Sequence, residues 1–221
     1  MTREFYPSRI TAESRTLLKE LKELASRVGN ITLLGGWAVH ELVDEVYALE
    51  SQDIDLLIHA DKAWTIYIEF FEKKGFKWRF YRDRKGDRHR DQRLILPGHE
   101  PLAIDIFYSQ EINPEILRAL FATEWSHGFK SLKYQGFVPG IDIVLLDKFQ
   151  TIKTRRDKSK QIKDVLDIHS LLFHNKQNIE ARELMTGEIL EIGISVRPIL
   201  SELDNDERCS DEIAEILKIM K

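Results

Sequence analysis

The chain has 221 residues, 43% of them hydrophobic and 32% charged, with a formal net charge of −4. It is long enough to bury a full core, as one domain with a C-terminal elaboration or as two small domains, and its slight acidity excludes a general basic coat for nucleic acid while leaving local basic stretches free to meet phosphates. Cys209 is the single cysteine, which excludes an intramolecular disulfide or a thiolate metal cluster and fits a reducing, cytoplasmic setting. The N-terminal MTREFYPSRI does not read as a signal peptide, and no apolar run long enough for a membrane span occurs.

Residues 11–28 carry Leu17, Leu18, Leu21 and Leu24 at helical spacing, with Thr11 as candidate N-cap and Gly29-Asn30 as the stop. Residues 31–34 form a short apolar strand broken by Gly35-Gly36, and a helix is expected over 37–49. A buried strand at 54–59, a helix at 63–74 closed by Gly75, and a strand at 76–81 follow. The charged stretch 82–93 centres on Lys85-Gly86-Asp87 and reads as a hairpin, with strands at 94–96 and 102–108 after it. Asn113-Pro114 introduces a helix, and a Gly-bearing extended piece occupies 129–138. From Pro139 the pattern turns helical, with helices at 141–152 and 162–173 and a mostly helical tail over 178–221. The expected fold class is α/β (α+β): a small mixed sheet with packed helices in residues 1–138, followed by a helical C-terminal region at 139–221.

Three short stretches carry chemistry. Gly35-Gly36 sits at a strand-to-helix turn, where backbone without side chains lets a phosphate approach free N–H groups at a helix start; such a pair is more often only a tight turn. In Ser51-Gln52-Asp53-Ile54-Asp55-Leu56, strand alternation puts Asp53 and Asp55 on one side and Ile54 and Leu56 on the other. Paired carboxylates repel unless cations neutralise them, and magnesium takes such oxygen ligands together with nucleotide phosphates; a strand entering the core from a solvated loop is the bland account. In Ala103-Ile104-Asp105-Ile106-Phe107 a lone acid inside an apolar strand needs a partner. A salt bridge would serve, and so would a metal shared with the first pair.

Taken in order, GGWA at 35–38, SQDIDLLI at 51–58 and AIDIF at 103–107 resemble the DNA polymerase β-like nucleotidyltransferase superfamily. That resemblance implies a nucleotidyltransferase-like catalytic domain. It implies transfer of a nucleoside monophosphate from ATP or another NTP to an acceptor hydroxyl, with release of pyrophosphate. Asp53, Asp55 and Asp105 would be the catalytic and metal-binding acids for two Mg2+ ions (or Mn2+), with Asp105 serving the acceptor hydroxyl. Gly35, Gly36 and Ser51 would contact the triphosphate. The following segment, with Leu145-Leu146-Asp147-Lys148, Lys153, Arg155, Arg156 and Lys163-Asp164-Val165-Leu166-Asp167, resembles the helical part of abortive-infection toxin-type and aminoglycoside or lincosamide nucleotidyltransferases. There a lysine reaches the nucleotide phosphates, which makes Lys148, then Lys153, the candidates; a solvated basic helix face is the alternative.

The acceptor stays open between a small molecule, an RNA end and a protein side chain, and a toxin or antitoxin partner goes with the last two. The basic residues of 82–93, among them Arg82, Lys85, Arg88 and Arg93, suit an anionic substrate or a plain solvated hairpin. The histidines lack metal-ligand spacing, and Trp37, Trp64 and Trp78 occupy apolar positions suited to the core, Trp37 also to a nucleotide pocket wall. The reading from a different class is a catalytically idle nucleotide-binding or antitoxin-type interaction protein. No membrane partner is expected.

Overall fold

The computed structural model describes residues 12–49, 51, 53–58, 61–82, 88–98, 102–108 and 137–221. Its elements are α1 (Ala12–Val28), β1 (Ile31–Leu34), α2 (Gly35–Leu42), β2 (Asp53–Ile58), α3 (Asp61–Lys73), β3 (Lys77–Arg82), β4 (Arg88–Ile95) and β5 (Ala103–Tyr108), then α4 (Ile141–Thr154), α5 (Lys158–Phe173), α6 (Ala181–Leu184), α7 (Gly187–Leu203) and α8 (Ser210–Ile219). The expected class holds: a mixed sheet with packed helices, then a helical C-terminal region. Thr11, the Lys85-Gly86-Asp87 turn, the helix after Pro114 and the start of the extended piece at 129–138 lie outside the described residues.

The five strands run in the order β1-β2-β5-β4-β3. The pair β2–β5 is parallel, and the pairs β1–β2, β4–β5 and β3–β4 are antiparallel. Ile54, Leu56, Ile104 and Ile106 are buried, as the strand alternation requires. Each fully buried aliphatic side chain contributes on the order of 2 kcal/mol. Helix α2 packs on β1 and β2 and also on α4 and α5, so one apolar core runs from α1 to the C-terminal helices. The chain re-enters beside the sheet at Phe137, whose carbonyl accepts from Leu33 N at 2.8 Å. Among the described residues, no helix is long and apolar enough to cross a membrane.

Three elements depart from expectation. Helix α2 starts at Gly35 and ends at Leu42, short of residue 49. Val43 is extended and bridges to Asn175, while Asp44 N donates to His174 O at 3.1 Å and Lys176 N to Leu42 O at 2.8 Å. Pairing with the segment after α5 thus overrides helical periodicity. Strand β4 starts at Arg88, so most of the charged return arm is strand. Helix α5 also begins earlier than residue 162, because the Asp157 side chain caps it by accepting from Lys160 N at 3.2 Å.

Candidate active site

The strand register assembles the site. Leu34 on β1 is paired with Asp55 on β2, Asp55 with Asp105 on β5, and Asp105 with Arg93 on β4. Directly opposed residues on neighbouring strands share a face, so Asp55, Asp105 and Arg93 stand in one row. Asp53 joins the same face two residues before Asp55. The three separated aspartates of the sequence therefore converge on one side of the sheet.

Arg93 is the site residue that the sequence did not single out. Its Nε donates to Asp105 Oδ1 at 2.6 Å, its Nη2 donates to Asp105 Oδ2, and the same Nη2 donates to Asp53 Oδ2 at 3.1 Å. The Asp105 bond and the neighbouring acids hold the guanidinium firmly charged. Ser51 Oγ donates to the other Asp53 oxygen at 3.3 Å. The side chains of Asp53, Arg93 and Asp105 are 39%, 29% and 19% exposed, so solvent reaches the cluster. Asp55 is the strained member. Burial, followed by repulsion from Asp53 and Asp105, pushes its carboxyl up to about 7.

The glycines are fitted to these acids. Gly35 has φ +62°, and a Cβ there would collide with the Asp55 carboxylate. A Cβ on Gly36 would lie 2.9 Å from both Lys163 Nζ and Ser51 Cβ. Gly35, Gly36 and Ser51 thus lie beside the acids, and a cation next to the turn is Lys163.

Lys148 departs from its expected role. It lies within a buried ion cluster, with its Nζ 3.1 Å from Asp164 Oδ1 and 2.6 Å from Asp167 Oδ2. Burial opposes its charge, yet the two carboxylates hold it firmly protonated. Arg155 approaches Asp164 at 3.2 Å and Lys163 approaches Asp167 at 3.0 Å. Lys148 is therefore committed to joining α4 to α5, although its charge still favours the ionised form of Asp55. Lys153 is exposed in the last turn of α4, where a cation suits the helix dipole. Trp37 is buried in the core against His40 rather than walling a pocket.

The donor set suits a hard cation, since all three groups are carboxylates. Among the described residues, no three acidic, histidine or cysteine side chains are gathered tightly enough to hold one metal ion as they stand. A guanidinium fork keeps carboxylate oxygens about 2.7–2.9 Å from its nitrogens, whereas magnesium draws them to about 2.1 Å. The cation among these acids is Arg93, bonded to Asp105 and Asp53.

Compared with known proteins, the chain matches no family model and no curated protein.

Proposed function

We propose that this protein is a metal-dependent nucleotidyltransferase that moves a nucleoside monophosphate from an NTP to an acceptor hydroxyl and releases pyrophosphate. The observation that carries this reading is the placing of Asp53, Asp55 and Asp105 on one face of two parallel strands, beside the Gly35-Gly36 turn. Asp53 and Asp55 would hold both ions, and Asp105 the ion that serves the acceptor. The ions, when bound, neutralise the polyphosphate and favour the ionised acceptor hydroxyl.

The chain's own groups supply the rest. The Gly35-Gly36 turn opens α2, where N–H groups are unpaired within the helix and the dipole favours anions. Ser51 and Lys163 pack against Gly36 and would offer a donor and a positive charge to a phosphate that reaches this turn. Asp105 lies on the central strand β5, between Asp55 on β2 and Arg93 on β4, so an acceptor would reach it across the face of the sheet. The substrate class of the acceptor remains a hydroxyl compound: a small molecule, an RNA end or a protein side chain.

A second reading, an idle nucleotide-binding or antitoxin-type protein, draws on Arg93, because an acid cluster already neutralised by arginine needs no metal. One experiment separates the two. The protein is incubated with each α-labelled NTP, Mg2+ and a cell extract, and pyrophosphate release and label transfer are followed. Wild type is expected to transfer label, and Asp53→Asn and Asp55→Asn to lose at least about 1,000-fold in rate with unchanged circular dichroism. Nucleotide binding without any pyrophosphate release would establish the idle reading instead. Wild-type turnover in both variants would sink the two-metal assignment.

A further inference from the structure

Three carboxylates meet on the sheet face, and one cation answers them. That cation is not a loop side chain that happens to lie nearby. Arg93 is the antiparallel register partner of Asp105, so the fold delivers it to this place whenever β4 pairs with β5. It takes both Asp105 oxygens with its fork and one Asp53 oxygen with the outer nitrogen. These are the two acids that flank Asp55 in the register and along the strand, and both must turn toward a metal if they are to ligate it.

Resting on the nucleotidyltransferase reading, we propose that Arg93 is a resident counter-cation that occupies the metal position and must be displaced before a divalent ion can bind. Guanidinium and metal compete for the same carboxylate oxygens, so the two cannot be held there together. An arginine stays charged at every relevant pH, and it leaves by swinging out, not by losing a proton. With Arg93 in place the metal-free acids are partly neutralised and the middle of the sheet is stable. With Arg93 out, the site gains its full negative charge for the metal, and the freed guanidinium needs a new anion. A triphosphate arriving with the metal is such an anion. Metal and nucleotide would then load together, each removing part of what opposes the other.

The test uses the full chain, Mn2+ alone as probe, and free Mn2+ measured by electron paramagnetic resonance at fixed ionic strength without nucleotide. Metal-free thermal unfolding is the second readout. Arg93→Gln is expected to bind Mn2+ at least 10-fold tighter than wild type and to unfold at lower temperature without metal. Mn2+ is expected to raise its unfolding temperature more than that of wild type. Arg93→Lys keeps the charge without the fork and is expected to fall between the two, which provides a reading if the glutamine variant folds poorly. Equal or weaker Mn2+ binding by both variants overturns the competition while leaving the nucleotidyltransferase reading standing. Absence of Mn2+ binding in wild type and variants alike, with the fold intact, overturns both.

Discussion

The molecule holds two clusters of charge that look alike in the sequence and differ in kind. On the sheet face, Asp53 and Asp105 share the cation Arg93 and are partly open to solvent, with Asp55 set more deeply between them. Between α4 and α5, Asp164 and Asp167 are met by Lys148, Lys163 and Arg155, and the two carboxylates and Lys148 are almost fully buried. The second cluster sets three cations against two carboxylates and is closed, which makes it a strut. The first has one bonded cation for its acids and is accessible at Asp53 and Asp105. Cation count and access together, not the presence of acids, separate a site from a support. Lys163 stands where the clusters meet, with one side on Asp167 and the other by Gly36.

The strut is where a substitution should do most to the fold. Lys148→Met keeps the volume and removes the charge, leaving Asp164 and Asp167 buried with less than their full complement of cations. The expected cost is about 3–5 kcal/mol in urea unfolding, whereas Asp53→Asn, on the solvated cluster, should change stability by under about 1 kcal/mol. Comparable costs at both positions would erase the distinction between strut and site. Lys163→Ala tests the junction. Lys148 still holds Asp167, so stability should fall by only about 1 kcal/mol, while KM for the NTP rises about 10-fold and kcat stays within a few-fold. An unchanged KM would assign Lys163 wholly to the strut.

The acids and the glycine turn were legible because both signals are local. Alternation within DIDLLI and AIDIF decides which way each aspartate points, and the apolar flanks mark both as strands. Arg93 was not legible as a site residue. It ends a run of charges, RHRDQR, whose strand alternation is hidden because both faces are polar, and only the register with β5 sets it against Asp105. That Lys148 is buried while Lys153 is exposed was hidden for a related reason. Helix α4 is buried around most of its circumference, so its periodicity does not say which neighbour each polar residue meets. The overlong α2 has the same origin, since Val43 is pulled out of the helix by Asn175, more than a hundred residues away.

Asp147 shows how the strut's surroundings respond to pH. It precedes Lys148 on α4, and burial raises its carboxyl to about 6, with Lys148 opposing that rise and Asp164 adding to it. Because the folded-state value lies above the ordinary aspartate value near 3.9, the folded protein holds this proton more tightly than the unfolded chain does. The resulting stability is fully present below about pH 4 and is lost as pH rises through about 6. Asp147→Asn carries no such titration. Its stability relative to wild type should therefore improve by about 2 kcal/mol between pH 4 and pH 7.5, measured by urea unfolding of both proteins across that range without divalent metal. A difference that stays flat over the range would mean that the folded protein solvates Asp147 as well as the unfolded chain does. The charge balance around Lys148 would then have to be counted without it.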